Sequence, residues 1–391
     1  MVSYMYMTEI LLRPEPFGDI MGYKFAWSDL IYVAVILIGA VLSCALTPLM
    51  RRLALKVGAV DRPDGKRKLQ REPVPYFGGI AIVAAFLATG AVALALMNGL
   101  TRSYAVIAVG ALLIAITGVI DDVFDMKPYV KFLIEITVAL ATVLIGGAIE
   151  YVYIFGVYIN FGIFSVPLTV LWIVLVTNSV NMMDGLDGLA CGISSIALMA
   201  FLVSAIANGD VVSAVVCGAL CGAALGFLPY NLAPASIFMG DAGALSLGYV
   251  MATVSVFGFF KGQAFLTIVV PTLVLALPVT DAVRLFFVRI SKGRNPFSSD
   301  RLHIHHRLVD MGMTPRGAVL VLYVISLMFG VAAVIYMVSP ASAAFIIFFA
   351  LVALALIRFA PGILTERPRT DARDEKSASD ANQSDGKEDD R

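Results

Sequence analysis

The chain carries about eleven apolar stretches, each close to the roughly 20 residues that an α-helix needs to cross a hydrocarbon layer about 30 Å thick. Lipid cannot hydrogen-bond backbone N–H and C=O groups, so such stretches fold as helices, which satisfy their own backbone. Hydrophobic residues make up 60% of the 391 residues, and charged residues only 14%. The sequence therefore predicts an all-α polytopic membrane protein with about 11 transmembrane helices.

The predicted spans divide the chain into three parts. Residues 1–27 form an external lead-in, which is interrupted by charged residues and prolines. Residues 28–360 form the transmembrane domain. Residues 361–391 form a cytoplasmic tail that we expect to be disordered, because its mixture of acids, bases, Ser and Ala cannot bury enough apolar surface. The spans are predicted near 28–49, 77–98, 103–120, 131–148, 164–180, 189–207, 211–229, 242–259, 263–288, 316–337 and 341–359.

Basic residues concentrate in alternate loops. The loop between spans 1 and 2 holds eight Lys and Arg residues and the loop between spans 9 and 10 holds six, whereas three loops on the other side hold none. Because Lys and Arg favour cytoplasmic loops, the N-terminus is predicted to lie outside and the C-terminus in the cytoplasm. The predicted location is the inner (plasma) membrane, with the site on its cytoplasmic face. Two β-rich runs, 151–155 and 158–164, predict a small external β-hairpin.

Rare polar residues collect in four of the predicted cytoplasmic connections. Acids follow span 3, a run rich in Asn and Asp follows span 5, one Asp stands between spans 7 and 8, and all three histidines lie between spans 9 and 10. Charges at a membrane border are costly unless a cation or substrate compensates them, so they indicate a functional site. We expect these connections to converge. Their polar residues are Asp121, Asp122, Asp125, Asn178, Asn181, Asp184, Asp187, Asp241, His303, His305 and His306.

The acids favour a hard divalent cation. If the end of span 3 stays helical, Asp121, Asp122 and Asp125 crowd one side of a helix, where like charges repel and a cation relieves the repulsion. A solvated helix end is the alternative. Asp241, in the segment MGDAG, suits either a metal ligand or the N-terminus of a helix. Structural zinc usually takes cysteine ligands, whereas Mg²⁺ is typically held by one or two carboxylates plus substrate phosphates.

Two further charged features have simple interpretations. Asp281 and Arg284, three residues apart inside span 9, predict an intramembrane ion pair, because such charges normally pair with one another. The histidines are flanked by Arg301 and Arg307. That basic setting suits a pyrophosphate better than a structural zinc ion.

The ordered motifs resemble one enzyme family, the polyprenyl-phosphate N-acetylhexosamine-1-phosphate transferases. The resemblance runs from about span 1 to the loop after span 9, and it implies a Mg²⁺-dependent phosphoglycosyltransferase. The implied reaction moves GlcNAc-1-phosphate from UDP-GlcNAc to undecaprenyl phosphate and releases UMP, as the first membrane step of a cell-envelope glycan such as O-antigen or teichoic acid. The phospho-MurNAc-pentapeptide translocase that makes lipid I is the alternative. The motifs are DRPDGKRKLQREPVPYFGG, GVIDDVFDMKPYVK, TNSVNMMDGLDGL, LPYNLAPASIFMGDAG and DRLHIHHRL.

The resemblance also implies partners and individual roles. The implied cofactor is Mg²⁺, for which Mn²⁺ can substitute. The implied partners are UDP-GlcNAc, undecaprenyl phosphate and the lipid bilayer, with no nucleic acid and with a homodimer left open. The implied catalytic residues are Asp121, Asp122, Asp184, His303, His305 and His306; the metal ligands are Asp241 and Asn181; the nucleotide-binding residues are Asp187, Asn231 and Phe238; and the phosphate-binding residues are Lys131, Lys68, Arg301 and Arg307.

Two rival classes of protein remain open. A cation-coupled transporter also holds intramembrane acids, but it places them near the midplane and often shows repeat symmetry. A membrane-bound lipid phosphatase uses water as the acceptor. Here the acids gather at one predicted membrane face, which favours the transferase.

Overall fold

The computed structural model describes residues 16–20, 23–26, 30–61, 73–97, 99–154, 157–259, 269–293, 302–338 and 343–364. Within these residues the chain is built almost entirely of helices. A short 3₁₀ turn precedes α5 and a π-helical turn follows α8. The helices are α1 (Leu30–Val57), α2 (Gly78–Met97), α3 (Arg102–Phe124), α4 (Pro128–Gly146), α5 (Ser165–Met183), α6 (Leu189–Ala207), α7 (Val211–Asn231), α8 (Gly240–Val254), α9 (Val269–Val274), α10 (Ala276–Ser291), α11 (Ile304–Asp310), α12 (Pro315–Val338) and α13 (Ala343–Leu364).

Local sequence explains several helix boundaries. The Thr101 hydroxyl accepts the backbone N–H of Tyr104 at 3.2 Å and caps α3, and the Asp210 carboxylate accepts the N–H of Ser213 at 3.1 Å and caps α7. Both side chains satisfy N–H groups that lack a partner inside the helix. Pro128 begins α4, where the missing N–H of proline costs nothing.

Nine of the described helices are long and apolar enough to cross a membrane, which confirms the prediction of an all-α multi-pass membrane protein. The region predicted as one span, 263–288, contains two helices, α9 and α10, which are separated at Leu275. Pro278 has no N–H to donate to the carbonyl of Val274, so a regular helix cannot continue through this point. The total of eleven spans stays a prediction.

The two ends of the chain also differ in detail from the sequence prediction. The region predicted as span 341–359 forms α13, which continues to Leu364, four residues beyond the predicted domain boundary at 360. Residues 365–391 lie outside the described residues, so the disorder of the tail stays a prediction. The predicted lead-in contains an antiparallel strand pair that the sequence did not indicate.

The described residues include three pairs of short antiparallel strands. In the region of the predicted hairpin, Tyr151 pairs with Asn160 and Ile154 with Val157. The pair between α1 and α2 joins Val60 to Pro75 and brings the start of α2 back to the end of α1. The strands are β1 (Pro16–Ile20), β2 (Tyr23–Ala26), β3 (Val60–Asp61), β4 (Val74–Pro75), β5 (Tyr151–Ile154) and β6 (Val157–Asn160).

Helix α8 lies at the centre of the bundle. It packs against α2, α3 and α5, and 89% of its span is buried, the highest share among the nine candidate spans. At its amino end the backbone of Asp241 and Ala242 lies so close to Gly118 of α3 that a Cβ at position 118 would overlap it. Small residues allow such close approach of helices in membranes. This contact sets the carboxyl end of α3 beside the amino end of α8.

Candidate active site

Four predicted polar segments meet at one end of the helix bundle. The carboxyl ends of α3 and α5 supply Asp121 and Asn181, and the amino ends of α4 and α8 supply Lys131 and Asp241. The connection that carries the histidines reaches the same end, where the ring of His305 lies against the loop after α5. The structure therefore brings together residues that are far apart in the chain, as the sequence led us to expect.

Lys131 is the cation at the centre of this group. Its Nζ lies 3.0 Å from Oδ2 of Asp121 and forms an ion pair with Oδ2 of Asp241. The Asn181 amide donates from Nδ2 to Oδ1 of Asp241 at 2.9 Å. The side chains of Lys131, Asp121 and Asp241 are only 16%, 15% and 28% exposed. Their charges therefore interact more strongly than charges on an open surface.

Asp122 has a different position from Asp121. Its carboxylate accepts the backbone N–H of Asp241 at 2.9 Å and that of Ala242 at 3.4 Å, both at the amino end of α8. These N–H groups have no partner inside the helix, and the helix dipole attracts a negative charge there. The resemblance implies that Asp122 acts on the lipid phosphate together with Asp121. In the structure each Asp122 oxygen accepts a backbone N–H at the amino end of α8, which holds Asp241 in position, and the role of Asp122 on the lipid phosphate stays a prediction.

Asp125 does not share a helix face with the other two acids. Helix α3 ends at Phe124, and Asp125 adopts a left-handed conformation with φ of 51°. Its side chain is exposed, whereas Asp121 turns inward and accepts the N–H of Met126 at 2.7 Å. The condition for three like charges on one helix is therefore not met at Asp125, because the helix ends before it, and its exposure fits the alternative of a solvated helix end.

Asp187 and Asn231, two of the candidate nucleotide-binding residues, join neighbouring loops. Asp187 Oδ2 accepts the N–H of Ala235 at 2.9 Å, and Asn231 Oδ1 accepts the N–H of Gly188 at 3.1 Å. The Asn231 amide also donates to the carbonyl of Ile237 at 3.3 Å, and the residue is only 2% exposed. These bonds give both residues a structural task, and their contact with uridine stays a prediction.

Phe238, the third nucleotide-binding candidate, lies beside an aromatic residue that the sequence analysis did not identify. The ring centroids of Phe238 and Tyr76 are 6.2 Å apart, and the rings are tilted by 48°. The Phe238 N–H donates to the carbonyl of Pro75 at 2.9 Å, which ties the two segments together. Burial raises the pKa of Tyr76 above its usual value, and a hydrogen bond to Asp61 raises it further. Tyr76 therefore stays a neutral hydroxyl next to the acidic centre.

Asp281 anchors the histidine segment. Its carboxylate accepts Arg284 Nη2 at 3.1 Å and the backbone N–H of Ile304 at 3.2 Å. Its Oδ2 also lies 3.0 Å from Nδ1 of His303. The predicted ion pair with Arg284 is thus present. The sequence prediction missed the contact with His303, because the two residues lie in different segments of the chain.

His305 is the most buried of the three histidines, with 1% exposure. Its ring stacks on His303 with centroids 5.4 Å apart, lies 4.3 Å from the ring of His306, and packs so closely on Gly185 that any Cβ there would overlap Nε2. Burial, together with the neighbouring histidines, lowers the pKa of His305 to about 3. A pKa this far below the usual value favours the neutral imidazole of His305 near pH 7.

The acids at this end of the bundle lie close enough to affect one another's charge. Burial, together with the charges of Asp241, Asp122 and Asp187, raises the pKa of Asp184 to about 7. No group of three His, Cys, Asp or Glu residues in the described part of the chain forms a ready metal cage. The oxygen donors of Asp241 and Asn181 fit instead a hard cation that takes one or two carboxylates and completes its coordination with substrate phosphates.

Two of the four candidate phosphate-binding residues lie in the part of the chain that the structure describes. Lys131 lies at the centre of the site, and Arg307 is exposed on α11. Lys68 and Arg301 lie outside the described residues.

Sequence reasoning also missed a buried acid next to this centre. Glu135 in α4 is 2% exposed, and its carboxylate accepts a hydrogen bond from the amide of Asn178 in α5. The signal that points to it is an acid inside the predicted span 131–148, since intramembrane acids are rare and usually functional.

Comparison with known proteins assigns the family. The model of the family described as Glycosyl transferase family 4 matches residues 104–259, which include Asp121, Lys131, Asn181 and Asp241. A Bacillus subtilis (strain 168) protein named probable undecaprenyl-phosphate N-acetylglucosaminyl 1-phosphate transferase is 36% identical and covers 82% of this chain and 90% of its own length. A Mycolicibacterium smegmatis decaprenyl-phosphate N-acetylglucosaminephosphotransferase is 32% identical, with coverage of 83% and 87%. An undecaprenyl-phosphate alpha-N-acetylglucosaminyl 1-phosphate transferase of Escherichia coli O157:H7 is 30% identical, with coverage of 68% and 74%.

These matches extend over most of the chain and agree with the motifs and with the multi-pass helical fold. The family match covers helices α3 to α8, which supply the acids, the lysine and the amide of the candidate site. The chain therefore belongs to glycosyl transferase family 4, among the polyprenyl-phosphate N-acetylhexosamine-1-phosphate transferases.

Proposed function

We propose that this membrane transferase moves GlcNAc-1-phosphate from UDP-GlcNAc to undecaprenyl phosphate and releases UMP. The names of the relatives contain the same sugar phosphate and a polyprenyl acceptor. In this chain the supporting observation is the contact of Lys131 with Asp121 and Asp241. It places a cation at one end of the bundle, where anionic substrates can bind. The product begins a cell-envelope glycan such as O-antigen or teichoic acid.

The proposal includes an orientation in the inner (plasma) membrane. The loops rich in Lys and Arg support a cytoplasmic position for the end that carries the site. The N-terminus and the β5–β6 pair then lie outside, and the C-terminal tail lies inside.

The proposed mechanism rests on positioning and charge neutralisation, which dominate phosphoryl transfer. Lys131 binds the acceptor phosphate, and Asp121 holds the Lys131 ammonium in place. Asp122 keeps Asp241 at the amino end of α8. Asp241 and the amide oxygen of Asn181 would hold Mg²⁺ or Mn²⁺, which would supply positive charge to offset the charge of the pyrophosphate. No side chain has to remove a proton from the acceptor, because a phosphate monoester with a second pKa of about 6 is mostly dianionic at pH 7.

An assay of UMP release tests this proposal. We expect purified protein to release UMP from UDP-GlcNAc only when a polyprenyl phosphate is added, and parallel reactions with undecaprenyl and decaprenyl phosphate identify the preferred lipid. A lipid phosphatase produces inorganic phosphate from the lipid without any sugar nucleotide, and a transporter releases no UMP. Either of those results contradicts the transferase.

Metal removal is expected to abolish the reaction. Oxygen ligands without cysteine partners select hard cations, so treatment with EDTA should stop UMP release and added Mg²⁺ or Mn²⁺ should restore it. The measurement is turnover after exhaustive EDTA dialysis, with back-titration of each metal. Full activity in the metal-free protein excludes the proposed cofactor.

Donor recognition gives a separate prediction. If Phe238 stacks on the uracil, Phe238→Ala should raise the KM for UDP-GlcNAc by about tenfold, since base stacking on an aromatic ring is worth roughly 1–3 kcal/mol. UMP should compete with UDP-GlcNAc in the wild type and compete less well in the variant. Phe286→Ala is the matched control, because Phe286 is 42% exposed on α10 and contacts Phe287.

The sugar is tested by comparing donors. We expect turnover with UDP-GlcNAc to exceed that with UDP-GalNAc and with UDP-MurNAc-pentapeptide. Preference for the pentapeptide donor assigns the protein instead to the synthesis of lipid I.

A further inference from the structure

Glu135 is a buried acid to which the proposed reaction assigns no task. It lies in α4, where Oε2 accepts the Asn178 amide and Oε1 has no hydrogen-bond partner among the described residues. Because the residue is only 2% exposed, water does not readily replace the missing partner. A buried carboxylate oxygen without a partner is costly. A second arrangement of the site in which Oε1 is paired would remove this cost.

Lys131 is the cation best placed to supply that partner. It lies four residues before Glu135 in α4, so the two side chains emerge on the same face of the helix. In the structure its Nζ binds Asp241 and lies 3.0 Å from Asp121, and both partners lie toward the end of the bundle. The flexible lysine stem carries three N–H donors and allows the ammonium to change partners.

The present position of Lys131 conflicts with metal binding. Its ammonium contacts Oδ2 of Asp241, while Oδ1 of Asp241 accepts the Asn181 amide. A divalent cation on Asp241 and the Lys131 ammonium would repel each other at contact distance in a partly buried site. When the cation binds, the ammonium has to leave Asp241.

We propose that Lys131 exchanges between Asp241 and Glu135, so that Glu135 is a positioning residue that sets the affinity of Asp241 for a divalent cation. With Asp241 free, Lys131 neutralises it and preserves the site. With Asp241 bound to the cation and no acceptor phosphate present, Lys131 pairs with Oε1 of Glu135, and its charge stays compensated. The inference rests on the proposed metal site at Asp241.

The competing interpretation is that Glu135 only joins α4 to α5 through Asn178. A double-mutant cycle separates the two, because it isolates the coupling between Lys131 and Glu135. Mn²⁺ is the probe, and its binding to the full-length protein in detergent is measured by electron paramagnetic resonance without substrates. The proteins are the wild type, Lys131→Met, Glu135→Gln and the double variant.

We expect Glu135→Gln to weaken Mn²⁺ binding by about tenfold, a coupling within the range measured for contacting side chains. Lys131→Met should tighten binding by a similar factor, because it removes the competing ammonium. In the Lys131→Met background, Glu135→Gln should have no further effect. Glu150→Gln is the matched control, since Glu150 is exposed beyond the far end of the same helix, and it should leave Mn²⁺ binding unchanged.

An equal effect of Glu135→Gln in both backgrounds overturns the exchange and leaves the metal site intact. No Mn²⁺ binding by the wild type overturns the metal site itself, so the two failures are distinguishable. Melting temperatures check the folding of each variant. If Glu135→Gln does not fold, the cycle is repeated with Glu135→Asp, which keeps the charge but moves it away from Lys131. An equal effect of Glu135→Asp in the wild-type and Lys131→Met backgrounds again overturns the exchange.

Discussion

Asp241→Asn is expected to lower turnover by about 10²- to 10³-fold, the range observed when one group that stabilises transition-state charge is removed. Asp241 is the only carboxylate that contacts both Lys131 and Asn181 in the described part of the chain. Asparagine has nearly the same shape and keeps the backbone N–H that Asp122 accepts, but it lacks the charge that holds a divalent cation. The loss should therefore appear in the catalytic constant, measured by UMP release at saturating substrates.

The matched control for Asp241→Asn is Asp210→Asn. Asp210 also lies at the start of a helix, but it caps α7 at the opposite end of the bundle, and asparagine is an equally good cap. We expect this variant to keep wild-type turnover. Near-normal activity of Asp241→Asn, or an equal loss in Asp210→Asn, contradicts the assignment of Asp241 as the metal ligand.

His305→Ala is expected to lower turnover by about 10²-fold or more while the protein stays folded. The imidazole is buried and neutral, and Nδ1 has no partner among the described residues, so the ring is free to offer an uncharged hydrogen bond. Its contact with Gly185 places the ring against the loop that carries Asp184. Removing a donor aimed at developing negative charge commonly costs this much. The assay compares turnover and melting temperature of the wild type and the variant.

A second substitution tests the position of the ring without removing it. Gly185→Ala introduces a Cβ that overlaps His305 Nε2, so the ring has to shift and turnover should fall. Gly218→Ala is its control, because a Cβ there meets Val35 at an ordinary 3.5 Å.

Stoichiometric zinc in the purified protein would falsify this interpretation of the histidines. So would a large loss of thermal stability in His305→Ala together with full activity of the folded fraction.

Much of the candidate site was predictable from short segments of sequence. The sequence identified Asp121, Lys131, Asn181 and Asp241 as site residues, and the structure places these four in contact. Their residue types and motif spacing are local properties. The sequence left open whether Asp125 shares the helix of Asp121 and Asp122, because it did not show that α3 ends one residue earlier.

Other parts of the site depended on contacts between distant segments. Asp122 caps α8 although it precedes Asp241 by 119 residues, and Asp281 binds a histidine 22 residues away. The neutral state of His305 follows from its burial, which no pattern within the segment HIHH predicts. Glu135 stands alone among apolar residues in the sequence, and only the packing of α4 against α5 shows its bond with Asn178.

The sequence by itself therefore determined the membrane class, the polar segments and the family, because hydropathy, charge distribution and motif spacing are recorded residue by residue along the chain. The tertiary structure decided which acids hold the backbone, which pair with Lys131 and which histidine is neutral. These outcomes depend on distance and burial, and both arise only when α8 packs between its neighbours and brings the ends of four helices together.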